Sequence, residues 1–169
     1  MIQSHKAVLL GLLITFSSWH SYAAFTPECL SDGKPIAIDD QAVITMKTTT
    51  PNQYLARAHV NGTITNIFAD ETGHNHFEIT MGPNPGDTLE VIYNISFGQL
   101  PTLQMGMSVE ACGDFINSFA ATSEYPESPD NAIIHWIHRN PSDKGHASGF
   151  LMIDGTLYGQ GKGNVTPNN

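Results

Sequence analysis

Five histidines in this sequence stand where they could share a ligand. Ile133-Ile134-His135-Trp136-Ile137-His138-Arg139-Asn140-Pro141 passes from an apolar run into a turn, and His146 and Gly149 follow closely. His74 and His76 lie in a second polar stretch that begins at Asp70. A neutral imidazole offers one ring nitrogen to a divalent metal, and a zinc site needs three or four such ligands. The same ring titrates near neutral pH, so acid–base catalysis without a metal is a rival use. The plainest use is structural, with the rings bonded to backbone carbonyls or left at the surface. Arg139 could clamp an anionic oxygen or pair with a carboxylate. Trp136 could wall the site or simply fill core.

Spacing decides whether these rings can meet. His74 and His76 are two apart, so an extended backbone aims both the same way. His135 and His138 are three apart, and on one continuous strand they would face opposite sides. A strand that ends near Trp136 or Ile137 lets the turn before Pro141 swing His138 back. His146 follows a connection containing Gly145 and could return to the same spot. Three imidazoles converging, with His74 or His76 and Arg139 lining the same concavity, is therefore the expected site.

The elements that must hold these residues read as β. Tyr54 to Val60 and Thr63 to Phe68 flank Asn61-Gly62, a strong hairpin signal. Phe77 to Met81 and Leu89 to Asn94 make a second candidate hairpin around Gly82-Pro83-Asn84-Pro85-Gly86-Asp87. Ser108 to Phe115, Ala132 to Ile137, Phe150 to Ile153 and Thr156 to Tyr158 are further strands, with Asp154-Gly155 as a hairpin turn. Residues 116–131 hold Pro126 and Pro129 and read as a long exposed loop. Ile38 to Met46 suits one or two helical turns. Many short strands with turn signals between them predict a small antiparallel OB-like barrel over residues 54–158, behind a short N-terminal extension at 24–53. A sandwich of the immunoglobulin type is the alternative, and the absence of a Trp between the two cysteines counts against it. Residues 159–169 read as a disordered tail.

The ends and composition bound the setting. Lys6, the apolar run Ala7 to Phe16 and the small residues before Ala24 form a signal-peptide pattern over residues 1–23. The apolar run is shorter than the roughly 20 residues that span a bilayer, so the expectation is a soluble periplasmic or secreted monomer without membrane insertion. Beyond residue 23 there are 6 basic and 16 acidic residues, a formal charge of −10. That surface repels phosphate backbones and makes nucleic acid an unfavoured partner. Cys29 and Cys112 are the only cysteines, and in an oxidising compartment they are expected to pair.

From about Ala58 to Tyr158 the chain resembles an uncharacterised family of small exported bacterial domains, a domain of unknown function. The resemblance rests on His74 with Phe77, Asn94-Ile95, Gly106, His135-Trp136-Ile137-His138-Arg139-Asn140-Pro141, His146, Gly149 and Tyr158. The chain departs from it at Gly113-Asp114-Phe115-Ile116-Asn117, which a longer loop follows. It departs again at Asn140, where the family pattern carries Asp. The resemblance implies one compact β domain with a polar site to which Asn94 belongs, and it supplies no activity.

Together these readings give an exported β-barrel with a His-rich rim. The expected ligand is a divalent metal, zinc or another, bound by His135, His138, His146, His74 and His76, or a small anion bound with Arg139, Trp136 and Asn94. A metal-dependent hydrolase of the phosphodiesterase or nuclease type is one alternative. A protein- or glycan-binding module with structural histidines is the other.

Overall fold

The computed structural model describes residues 26–142 and 144–161. The predicted signal segment at residues 1–23 lies outside them, as do residues 162–169 of the predicted tail. Among the described residues no helix is long and apolar enough to cross a membrane. The elements in chain order are β1 (Leu30–Ser31), β2 (Lys34–Pro35), α1 (Asp40–Thr49), β3 (Leu55–Ile67), β4 (His74–Thr80), β5 (Thr88–Asn94), a 3-10 turn (Ile95–Phe97), β6 (Ser108–Asn117), β7 (Ala132–His135), β8 (Phe150–Ile153) and β9 (Thr156–Tyr158).

Five of these strands close a barrel in the order β3-β4-β5-β7-β6, with β6 pairing back onto β3. The β5–β7 pair is parallel, and the other pairs of the ring are antiparallel. Strand alternation separates two faces. Phe77, Ile79, Leu89, Val91, Tyr93, Phe115 and Ile134 point inward into one core and are fully buried. Ile92, Ile116 and Ile133 point outward and form a separate cluster with Tyr125 and Trp136. The residues 118–131 therefore do not form a wholly exposed loop. Tyr125 packs on the barrel wall, and Ser118, Ser128 and Asp130 are buried.

Two turn expectations come out differently. Ile153 pairs Thr156 across Asp154-Gly155, and both turn residues have positive φ (47° and 75°), as a tight two-residue hairpin requires. Asn61-Gly62 is not a turn. It lies inside the single strand β3, where the chain passes from pairing with β6 to pairing with β4. A Cβ on Gly62 would stand 2.7 Å from the Thr80 carbonyl oxygen, so glycine here permits close backbone approach. Local sequence cannot tell these two uses of glycine apart.

The N-terminal extension is part of the same body. Asp39 caps α1 by accepting from the Ala42 amide at 2.9 Å, and Val43 buries against the barrel core. Cys29 and Cys112 are bonded, with Cα atoms 5.5 Å apart, so β6 is stapled to this segment. Of the predicted tail, residues 159–161 are described. Gly159 is buried, and its carbonyl accepts from the Arg139 amide at 2.7 Å.

Candidate functional site

The loop that carries most of the candidate residues is an excursion from one strand edge. β7 leaves β6 at His135, opposite Asp114, and β8 rejoins it at Phe150, opposite Cys112. Only Gly113 separates the two points on β6, so residues 136–142 and 144–149 bulge out from a narrow mouth. A Cβ on Gly113 would strike the His135 carbonyl and the Ile137 side chain, and one on Gly149 would strike the Cys112 and Trp136 carbonyls. The pinch forces Trp136 to a φ of 51°, a conformation a bulky side chain rarely adopts. Such a residue costs on the order of 1–3 kcal/mol and persists only where packing over-determines it. That kink is the swing the spacing of His135 and His138 required. It sends Ile137 into the core and keeps His135, Trp136 and His138 on the outer side.

Asn140 shapes the rest of the loop. It is buried, and its amide donates to the Lys144 carbonyl at 3.0 Å and the His146 carbonyl at 2.6 Å. Its side-chain oxygen accepts from the amide and hydroxyl of Ser142. An ionised Asp has no donor for the two carbonyls, so this loop is built for Asn. Asn140 is therefore a folding feature that seats His146.

All five predicted histidines reach one region of the outer face, in two groups. His74 and His76 stand on β4 with ring centroids 6.4 Å apart, and His74 lies 5.6 Å from His135. His138 and His146 are 5.1 Å apart, nearly perpendicular. Trp136 stacks on His135 at 4.8 Å and on His146 at 5.5 Å, and joins the groups. The expected convergence of His135, His138 and His146 on one point is thus not what the fold produces. His135 joins His74, and the indole takes the place between it and His146. Among the described residues no three His, Cys, Asp or Glu side chains form a ready metal cage.

The ring nitrogens are placed alike. Nδ1 faces the Thr72 carbonyl in His74 (3.2 Å), the Arg139 carbonyl in His138 (2.9 Å) and the Ala147 carbonyl in His146 (2.9 Å). In His76 it faces Glu90 Oε1 at 2.8 Å. These oxygens only accept, so the neutral rings carry their proton on Nδ1 and keep the lone pair on Nε2. His135 differs, because its Nδ1 is buried without a hydrogen-bond partner. Burial first, then the neighbouring His74, His138, His146 and His76, push its pKa down to about 4. His138 is also lowered, chiefly by burial, against the raising effect of its bond to the Arg139 carbonyl. Phe97 covers that ring in a stack 3.6 Å away.

Three further residues bear on the site. Arg139 leaves its side chain exposed. Asn94 spends its side chain capping the 3-10 turn through the Ser96 amide at 2.9 Å. Glu90, missed in the sequence, supplies the carboxylate that Asn140 does not. Its signal was a lone charge inside the apolar run Leu89 to Tyr93, on the face it shares with Ile92.

The family described as "Protein of unknown function (DUF3465)" matches residues 28–159, so the family's unit includes the Cys29 segment and the barrel together. No curated protein matches the chain. The chain belongs to the DUF3465 family of proteins of unknown function.

Proposed function

We propose that this protein is an exported β-barrel domain that binds a divalent transition-metal ion, zinc or a similar one, at the outer-face histidines. The observation that carries the reading is the shared polarity of the rings. His74, His76, His138 and His146 each give the Nδ1 proton to an oxygen, which leaves four Nε2 lone pairs without a donor assigned to them. Lone pairs attract a cation, and imidazole suits zinc, copper and nickel. An anion would need N–H groups, and the ring N–H groups of these four histidines are already engaged. The His76–Glu90 pair is the arrangement that fixes the tautomer of a metal-bound histidine and raises its basicity. Export is supported by the Cys29–Cys112 bond and the N-terminal signal pattern.

The test is metal analysis and calorimetry on untagged protein. Zinc should bind and then weaken as pH falls below about 6.5, where an ordinary imidazole protonates and cannot ligate. The variant His74→Ala/His76→Ala/His146→Ala should lose binding while keeping its far-ultraviolet circular dichroism. Zinc binding undiminished in that variant would remove the histidines from the reading.

A further inference from the structure

We propose that a groove across β3 and β6, lined by none of the five histidines, binds a Lys- or Arg-bearing segment of a partner polypeptide. Metal binding at the histidines is not required for it. The groove opens where β3 changes partners. Thr63 is the last residue of β3 to pair with β6, opposite Ser108, and the first to pair with β4, opposite Thr80. Met81 and Gly82, just past the end of β4, stand on one side, and Met152 of β8 and Gly155 of the next turn stand on the other. Gly62 lies between them without a side chain. The space is about 670 Å³, within the roughly 300–1,000 Å³ of ligand sites.

The lining is rich in acceptors and poor in donors. Thr65 donates its hydroxyl proton to Glu78 at 2.5 Å, so the 3.0 Å bond between Thr65 and Thr80 takes its proton from Thr80. The Ser108 hydroxyl donates to Asp154 at 3.0 Å. Three hydroxyls thus turn their protons toward the protein and keep lone pairs, which accept from the N–H groups of a cation. Among the described residues no Lys or Arg lines the groove, whereas Glu110 does, and Asp40 accepts from the Asn61 amide beside it. Glu110 shares Oε1 with His59 at 2.9 Å, and a carboxylate accepts at both oxygens, so capacity for a cation remains. Met81 and Met152 are half-buried thioethers, which pack adaptably on the aliphatic stems of Lys and Arg. No aromatic ring in the lining offers a sugar or a base a stacking face. A second copy of the chain brings the same acidic excess and is repelled.

The experiment titrates the nitrogen-15-labelled chain with a hexa-lysine peptide at about 0.15 M salt, where charges beyond about 8 Å are screened. Amide shifts should concentrate at residues 61–65, 80–82 and 108–110. Thr63→Lys, at an exposed strand position, sets a like charge in the groove and should weaken binding roughly tenfold or more. Glu124→Gln makes the same change in net charge at an exposed site outside the groove, and should leave affinity within about twofold. Glu110→Gln, which keeps an acceptor for His59, repeats the first arm with a smaller loss if Thr63→Lys disturbs the strand. Equal weakening in Thr63→Lys and Glu124→Gln, or shifts spread beyond these residues, would overturn the proposal, because overall charge alone would account for them. No binding of hexa-lysine would overturn it too. A neutral oligosaccharide, or a second copy at rising protein concentration, that shifts the same amides where hexa-lysine does not would put another occupant in the groove and overturn the peptide.

Discussion

Two polar clusters sit on the outside of this barrel, and they are satisfied in opposite ways. Around Arg57 the partners are complete. Its guanidinium donates to Asp114 at 2.9 Å, to the Leu30 carbonyl at 3.0 Å and to the Ser148 carbonyl, and it lies 3.1 Å from Cys112 Sγ. Next to it, both ring nitrogens of His59 face oxygens, the Ile36 carbonyl at 3.0 Å and Glu110 at 2.9 Å. In the histidine array each ring uses Nδ1 or leaves it empty, and no ring has both nitrogens engaged as His59 has. A cluster whose groups pair internally holds a fold together. A cluster that keeps lone pairs in reserve has capacity for something from outside.

Breaking the satisfied cluster should have the largest effect on stability. Arg57→Met leaves the Asp114 carboxylate, whose side chain is 12% exposed, without its partner. Removing one member of such a buried pair costs about 3–5 kcal/mol, which urea unfolding will measure. Replacing both cysteines by Ser should cost about 4.5 kcal/mol by the loop-closure estimate for a separation of 83 residues. A matching alanine change at His74, whose ring hydrogen-bonds only to the Thr72 carbonyl, should cost less than about 1 kcal/mol, as for a partly exposed site. If it costs as much as Arg57→Met, the contrast between the clusters fails.

Acid unfolding sharpens the same contrast through two buried groups shifted in opposite directions. His135 has a folded pKa of about 4 against an ordinary 6.5. Its contribution is therefore present above pH 6.5 and is lost as pH falls toward 4, by up to about 3 kcal/mol. Asp130, beside Glu78, is raised mainly by burial to about 6 from 3.8. Its contribution is present below pH 3.8 and is lost as pH rises through 6. In metal-free protein, His135→Gln should relieve loss of stability on acidification between pH 6.5 and 4. Asp130→Asn should relieve loss as pH rises over 4–6. Stability curves parallel to wild type in both variants would remove these groups from the account.

A separate binding measurement isolates the orienting carboxylate. Glu90→Gln keeps an acceptor for His76 Nδ1 but removes the charge, and should weaken zinc binding about 10–100-fold with little change in fold. Affinity unchanged in this variant would mean that Glu90 belongs with the structural cluster and not with the array.

The sequence by itself determined the barrel class and the disulfide partners, because each rests on local signals. Alternation put His74 and His76 on one side of a strand, two cysteines allow one pairing, and the run ending at His135 marked a strand end. Tertiary structure decided the rest. Asn61-Gly62 has the chemistry of a turn, yet β3 runs through it because its two halves pair with different strands. Glu90 meets His76 through a register between strands that no local pattern encodes. The split of the array depends on Trp136, whose backbone is bent by Gly113 and Gly149 from elsewhere in the chain. Side-chain direction along one strand is a local property, whereas ring-to-ring distance is set by which strands share an edge and how closely their backbones pass.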